Sequence, residues 1–307
     1  MRVLITGGAG TLGAELVTHL LDDERVDGIY VIDTFATSSP DRLPDDDRLW
    51  VHEGSVANRT FLEEVFAEAN PSIVVHSAAT YANPDDWEDD VHSNVMGAVN
   101  LARVAEEQAV ERLVNFQTVL CYGRPDSTPI REEDPLRPLG SYAITKVAAE
   151  EFLLQSRVPV ISLRIGSVLS KGLAIGPLPN FYRQVRSGEV SRISEAVRDF
   201  LDPDDFFALL MKVLFTSGET GVFNVSTGQG HSIKEIYALV CEHLGVAGNA
   251  EVVPVNDDDV AAVVLDSTKA QKAFDWEPQT PFTTSISKLL QWYDVYGVGT
   301  TYSHHRS

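Results

Sequence analysis

The run Gly7-Gly8-Ala9-Gly10-Thr11-Leu12-Gly13 follows a short apolar stretch, residues 2–6, and leads directly into a helix-patterned segment, residues 11–21. Few patterns restrict a fold more. A glycine turn between a strand and a helix gathers uncapped backbone N–H groups at the positive end of a helix dipole, which is where a phosphate binds. Gly7 permits the tight turn, Gly10 lets backbone approach a pyrophosphate, and Gly13 lets helix and strand pack closely. Glycine spacing alone also occurs in plain strand-to-helix turns, so the context decides. A second strand, residues 28–32, ends at Asp33, about twenty residues beyond the turn, where a carboxylate binds the adenosine ribose hydroxyls and repels a 2′-phosphate. No Arg or Lys directly follows it (Thr34, Phe35, Ala36), and Thr11 rather than Arg sits in the turn. The expected ligand is a dinucleotide, NAD in preference to NADP.

The first two-thirds of the chain alternate strand and helix. Further strands are predicted at 49–53, 72–76, 113–117 and 160–164, and helices at 58–67, 90–107 and 141–155. Near-continuous Val/Ile/Leu strands separated by helices mean a parallel sheet covered on both faces. Right-handed crossovers then make it a Rossmann-type, doubly wound α/β sheet. Residues 1–166 are expected to form this NAD-binding domain.

After about residue 167 the regularity fades. Gly and Pro cluster at 172–179, and shorter elements are predicted at 181–187, 204–215, 222–225, 232–244 and 282–296. Ser232-Ile233-Lys234-Glu235 is a capping box. Residues 167–307 are expected to form a smaller α/β substrate lobe over the carboxyl ends of the sheet, with some elements returning to the main domain. The acidic loops 36–47 and 256–259 are expected to be mobile.

A chain of 307 residues with 44% hydrophobic residues can form one large domain, or a main domain with a smaller one. The net charge of −21 argues against a surface that coats nucleic acid, which needs a basic field. It does not forbid a phosphate ligand held locally. Cys121 and Cys241 lie far apart and form no disulfide framework, as in a reducing cytosol. No apolar run approaches membrane-spanning length, and the N-terminus opens on a strand rather than a signal peptide. These features set the expectation of a cytoplasmic protein with no membrane or nucleic-acid partner and no metal.

Tyr142 and Lys146 lie four residues apart in a predicted helix and share a face. An ammonium beside a phenol favours the phenolate. Bringing a phenol from a pKa of about 10 to near 7 takes roughly 4 kcal/mol, so a second positive charge is expected nearby. Alone, the pair is also an ordinary surface pair.

The glycine turn, Asp33, His76-Ser77-Ala78-Ala79, Asn94 with Gly97 and Asn100, Thr118 before Cys121-Tyr122-Gly123, Tyr142 with Lys146, Val197-Arg198-Asp199-Phe200 and Phe223-Asn224-Val225 together carry a resemblance. The chain resembles, end to end, the extended short-chain dehydrogenase/reductases of the nucleotide-sugar epimerase/dehydratase family. Within it, the likeness is to enzymes of bacterial surface-polysaccharide (O-antigen) clusters. The resemblance implies that Tyr142 is the acid/base on a sugar hydroxyl. Lys146 would hold the nicotinamide ribose and lower the Tyr142 pKa, with oxidised nicotinamide as the second positive charge. Thr118 would bond the same hydroxyl. It further implies cofactor contacts from Gly7, Gly10, Thr11, Leu12, Gly13, Asp33, Ser55, Val56, Ser77, Ala78, Ala79 and Asn94. Substrate contacts would come from Tyr81, Thr118, Ser167 and Arg198. His76 reads as a packed strand-end histidine, and a surface pair with Asp199 is the plain alternative for Arg198.

Three departures stand out. Ser55 replaces an Asp that contacts adenine in the family, Ser167 replaces an Asn near the substrate phosphates, and an Arg near Val255 and Asn256 is missing, leaving the diphosphate to Arg198 and backbone or to a different rim residue such as Arg183 or Arg186. Where dehydratases of the family carry Asp-Glu after the Thr, this chain has Val119 and Leu120. It keeps the hydride-transfer set and lacks the elimination set. The resemblance thus implies an isomerase: C4 epimerisation of a UDP-hexose or UDP-hexuronate by transient oxidation with bound NAD. A dehydratase or NAD(P)-dependent reductase, and more distantly a non-catalytic NAD sensor, are the rivals. It also implies a homodimer through helices 90–107 and 141–155, with Val95, Val99, Ala102, Val147 and Phe152 as candidate apolar contacts.

Overall fold

The computed structural model describes residues 1–81, 83, 85–216, 218–255 and 260–299. The acidic loop predicted at 256–259 lies outside the described residues. The chain begins β1 (Arg2–Thr6), α1 (Thr11–Leu21), β2 (Gly28–Asp33), β3 (Leu49–Glu53), α2 (Arg59–Ala69) and β4 (Ile73–His76). It continues α3 (Trp87–Asp90), α4 (Gly97–Glu107), β5 (Arg112–Thr118), α5 (Gly140–Leu154), β6 (Val160–Ile165) and β7 (Ser167–Val168). Then come α6 (Pro177–Ser187), β8 (Ser191–Ile193), β9 (Val197–Leu201), α7 (Pro203–Phe215), β10 (Gly221–Val225) and β11 (Gly230–Ser232). The last elements are α8 (Ile233–Leu244), β12 (Ala250–Val252), β13 (Ala262–Val263), α9 (Thr268–Phe274) and α10 (Phe282–Tyr296).

Seven parallel strands form the main sheet in the order β10-β6-β5-β4-β1-β2-β3. Its apolar strands are buried on both faces because successive side chains alternate between two cores. In β1, Val3 and Ile5 join a cluster with α1, α7 and α9, while Leu4 joins a cluster with α2, α4 and α5. Burying such a side chain completely contributes roughly 1.5–3 kcal/mol. β10 returns from the second part of the sequence to pair with β6, Gly221 opposite Ile161 and Val225 opposite Ile165.

The predicted helix 90–107 is interrupted. α3 ends at Asp90, a π-helical turn spans Val91–Met96, and α4 follows. The Ser232 half of the capping box is formed, Glu235 N donating to Ser232 Oγ over 3.1 Å, while the Glu235 carboxylate lies 3.2 Å from His231 Nδ1. A third core packs α6, α8 and α10 together beside the sheet's carboxyl end. β7, β8, β11, β12 and β13 are each two or three residues long, too short for a periodicity to reveal. No helix among the described residues is long and apolar enough to cross a membrane.

Candidate active site

A cleft of about 1170 Å³ opens at the carboxyl ends of the strands, between the main sheet and the α6/α8/α10 layer. Gly7, Gly10, Thr11, Leu12 and Gly13 line one end of it. No side chain caps the first turn of α1, so its N–H groups face the cavity. Gly7 is in the left-handed region (φ +69°), and a Cβ there would stand 2.6 Å from Ala78 N; a Cβ on Gly13 would collide with the Gly7 carbonyl. These constraints keep an open, anion-binding turn that suits a dinucleotide diphosphate. Ser77 Oγ donates to Thr6 O (2.9 Å), fixing the strand end that carries Ala78 and Ala79.

Asp33 is buried and locked onto the same turn. Oδ2 accepts from Ala9 N (2.9 Å); Oδ1 accepts from Phe35 N and Ser38 Oγ, both at 2.9 Å. Its charge opposes a 2′-phosphate, as expected for NAD. Thr37, Ser38, Ser39 and Arg42 also line this end. They were missed because only the residues directly after Asp33 carry a recognised spacing. Ser55 and Val56 lie beyond the cleft lining: Ser55 Oγ accepts from Ala57 N (3.2 Å), and Val56 is packed in the core.

At the centre, Thr118, Tyr142 and Lys146 come together with Tyr81, Val119 and Leu120. Thr118 Oγ1 accepts from Leu120 N (3.2 Å), the local cap expected of a strand-end Thr, and its own proton remains for a further acceptor. Tyr81 packs edge-on to Tyr142, with centroids 6.2 Å apart. Gln117, which pattern reading missed, clamps β5 to α5: Nε2 donates to Lys146 O and Oε1 accepts from Thr118 N, each at 2.8 Å. Burial pushes the Tyr142 phenol well above its ordinary value, with the Tyr81 phenol and Asp90 carboxylate acting in the same direction. Burial pulls the Lys146 ammonium down to about 8 against the opposing charge of Glu150. Burial first, then Tyr81 and Asp90, therefore favour the protonated phenol.

His76 is buried behind Lys146, its Nδ1 2.8 Å from Thr6 Oγ1, and burial with the Lys146 charge pulls it down to about 3. It is a neutral packing residue, as expected. Cys121 is buried and pushed up to about 12, chiefly by burial, so its thiol stays protonated. Asn94 does not line the cleft. Its amide ties Thr80 to Thr145, accepting from Thr80 N (2.9 Å) and donating to Thr80 O (3.2 Å) and Thr145 Oγ1 (3.1 Å).

At the far end, Ser167 and Arg198 line the cleft. Arg198 Nη1 donates to Val197 O (2.8 Å) and Val260 O (2.7 Å), whereas Asp199 accepts from backbone N–H groups of Thr227, Gly228 and Leu265. A further cation lining the cleft is Arg192 on β8, which the sequence reading did not single out. Arg186 is tied to Tyr182 Oη (2.9 Å), and neither it nor Arg183 lines the cleft. Among the described residues no group of three His, Cys, Asp or Glu is placed to hold a metal ion.

A doubly wound sheet, a glycine turn with its carboxylate, and a Tyr–Lys pair across from it define a short-chain dehydrogenase/reductase. The chain belongs to the NAD dependent epimerase/dehydratase family, whose model matches residues 3–226. It is similar to the Bordetella bronchiseptica enzyme WbmG solved with NAD: 47% identical, TM-score 0.93, covering all of this chain and 98% of that one. WbmG has also been solved with NAD and UDP, with the same identity and TM-score. The UDP-glucose 4-epimerase of Corynebacterium glutamicum is 29% identical, over 91% of each chain.

Proposed function

We propose that the protein is a nucleotide-sugar C4 epimerase acting on a UDP-hexose or UDP-hexuronate. The observation that carries this is the centre of the cleft. Thr118, Tyr142 and Lys146 are assembled there, and the two positions after Thr118 are Val119 and Leu120, which offer no carboxyl group for eliminating water. UDP is favoured because WbmG binds it and relatives across much of the chain are UDP-glucose 4-epimerases.

When bound, NAD would supply a reversible hydride acceptor, so the reaction would have no net redox change. Tyr142 takes the C4 hydroxyl proton and later gives it back. Thr118 donates a hydrogen bond to the same oxygen. Lys146 would hold the nicotinamide ribose and add positive charge beside the phenol. Asp33 and the turn from Gly7 to Gly13 hold the adenosine and diphosphate end, with Ser55 and Val56 toward adenine and Ser77, Ala78 and Ala79 toward nicotinamide. Asn94 holds the Thr80–Tyr81 loop beside them. Tyr81, Ser167, Arg198 and Arg192 meet the sugar diphosphate.

The 1–166 and 167–307 division serves these two halves, with β10 and α7 returning to the main sheet. Val91, Met96, Ile144 and Phe152 stay exposed on the face of the π-turn and α5, whereas Ala102 is buried in the core. This face fits a homodimer, and the protein fits a cytoplasmic step of surface-polysaccharide synthesis.

Incubation with UDP-sugars, followed by NMR of C4 configuration, is expected to show interconversion without added NAD. Release of water or net consumption of NADPH would instead establish the dehydratase or reductase reading. Arg192→Ala is expected to raise KM at least tenfold, the worth of about 1.5 kcal/mol from one charge-assisted bond, with kcat little changed. Steady-state kinetics on the interconverted sugar checks this.

A further inference from the structure

Asp90 is a carboxylate for which the reaction above has no use. It is 2% exposed and lines the cleft beside Tyr81 and Tyr142. Oδ1 accepts from Thr80 Oγ1 (3.1 Å), and Oδ2 is buried with no hydrogen-bond partner. No ion pair joins it to a cation among the described residues. A buried, unpaired carboxylate costs several kcal/mol, so its retention beside a reacting group needs a reason.

The placement supplies one. Asp90 and Asn94 reach the same loop: Asn94 grips the backbone of Thr80 and Asp90 takes its hydroxyl. Asn94 also bonds Thr145 Oγ1, which donates to the carbonyls of Ser141 and Tyr142. One hydrogen-bonded chain thus joins Asp90 to the turn that carries the phenol. We propose that Asp90 is a positioning residue for Tyr142: the network holds its carboxylate at the phenol's side, where it opposes the Lys146 and nicotinamide charges.

The groups facing it are known from each element. Asp86 and Asp89 flank it on α3 and raise its pKa after burial, while the Ser141 and Thr80 hydroxyls lower it. Tyr81 faces it from the loop, and Ser141 and Tyr142 from α5. An epimerase must both take and return one proton at the same phenol. A phenolate stabilised by two cations alone would hold the proton too weakly for the return step. A nearby anion restores the balance.

The inference rests on Tyr142 being the acid/base. The test is the pH profile of kcat/KM for the interconverted UDP-sugar, on holoenzyme, for wild type, Asp90→Asn, Thr80→Val and Asp89→Asn. Phenolate absorbance of each variant, against Tyr142→Phe, is the second readout. Removing the negative charge favours the phenolate, so the acidic limb and the absorbance midpoint in Asp90→Asn should fall by ~0.5–1 pH unit. Thr80→Val should move them in the same direction by less, because a carboxyl without that bond keeps its proton more readily. Asp89→Asn, exposed and acting on Asp90 rather than on the phenol, should move both far less than Asp90→Asn. Thr80→Val keeps the test open if Asp90→Asn fails to fold. Unmoved limbs with a uniformly lower rate would overturn the proposal. An unchanged rate in Tyr142→Phe would instead overturn the reading on which it rests.

Discussion

Tyr142→Phe is expected to lower kcat by roughly 10²–10⁴-fold, the usual worth of a positioned acid–base group, while the fold and NAD retention survive. The fold should survive because two of the residue's contacts do not need the hydroxyl. Its carbonyl accepts from Thr145 Oγ1 (3.0 Å), and its ring meets Tyr81 edge-on, both of which Phe preserves. What Phe loses is the proton carrier. KM should change little, because the sugar diphosphate is proposed to rest on Arg192, Arg198 and Ser167 at the other end of the cleft. Thr118→Val should cost less, since it removes the bond to the substrate oxygen and the cap on Leu120 N but leaves the proton transfer. Kinetics by NMR, with retained NAD measured after denaturation, check each point. A Tyr142→Phe enzyme within about threefold of wild type would remove the phenol from the chemistry.

The sheet was legible because its strands are runs of Val, Ile and Leu long enough to read, and its first turn is dense in glycine. The central residues were legible for a related reason: Thr118 ends a readable strand, and Tyr142 and Lys146 share one face of a readable helix. What escaped reading depends on pairing across the chain. β10 is an ordinary five-residue strand, and nothing local says that it adds to the sheet beside β6. Arg192 sits on a three-residue strand whose place on the cleft wall depends on its pairing with β12. Gln117 reads as one more strand residue until its amide is seen spanning to Lys146 O. Asp90 falls in an acidic run with Asp85, Asp86, Glu88 and Asp89, which by composition is a solvated face. The π-turn, the Thr80 loop and the start of α5 come together around it. The burial that opposes the tyrosine's ionisation escaped reading for the same reason. A Lys one turn away lowers a phenol's pKa in the open, but here burial acts first and on both groups.

Lys146→Met is expected to stabilise the cofactor-free protein by about 3 kcal/mol at neutral pH while abolishing most activity. Tyr142, Lys146 and Glu150 form one row on α5. Glu150, fully buried, is committed to Arg164 through Nη2–Oε2 at 2.7 Å and accepts from Ser162 Oγ at 2.6 Å. Its charge is largely answered by Arg164, so the Lys146 ammonium is supported only weakly, and burial pulls it from 10.5 to about 8. Below about pH 8 the lysine is charged in both folded and unfolded chains, and the folded state carries the full penalty. Between about 8 and 10.5 the folded chain has lost the proton and the unfolded chain has not, so stability rises with pH and the penalty is relieved. Met fills a similar volume with no charge to desolvate. The advantage of Lys146→Met in denaturant midpoint should therefore be largest at pH 7 and shrink steadily toward pH 10, and the difference between the two proteins cancels groups common to both. In activity the order reverses: without the ammonium the nicotinamide ribose loses its anchor and the phenol one of its two cations. A stability difference that stayed flat from pH 7 to 10 would mean that the lysine does not carry its charge inside the folded protein.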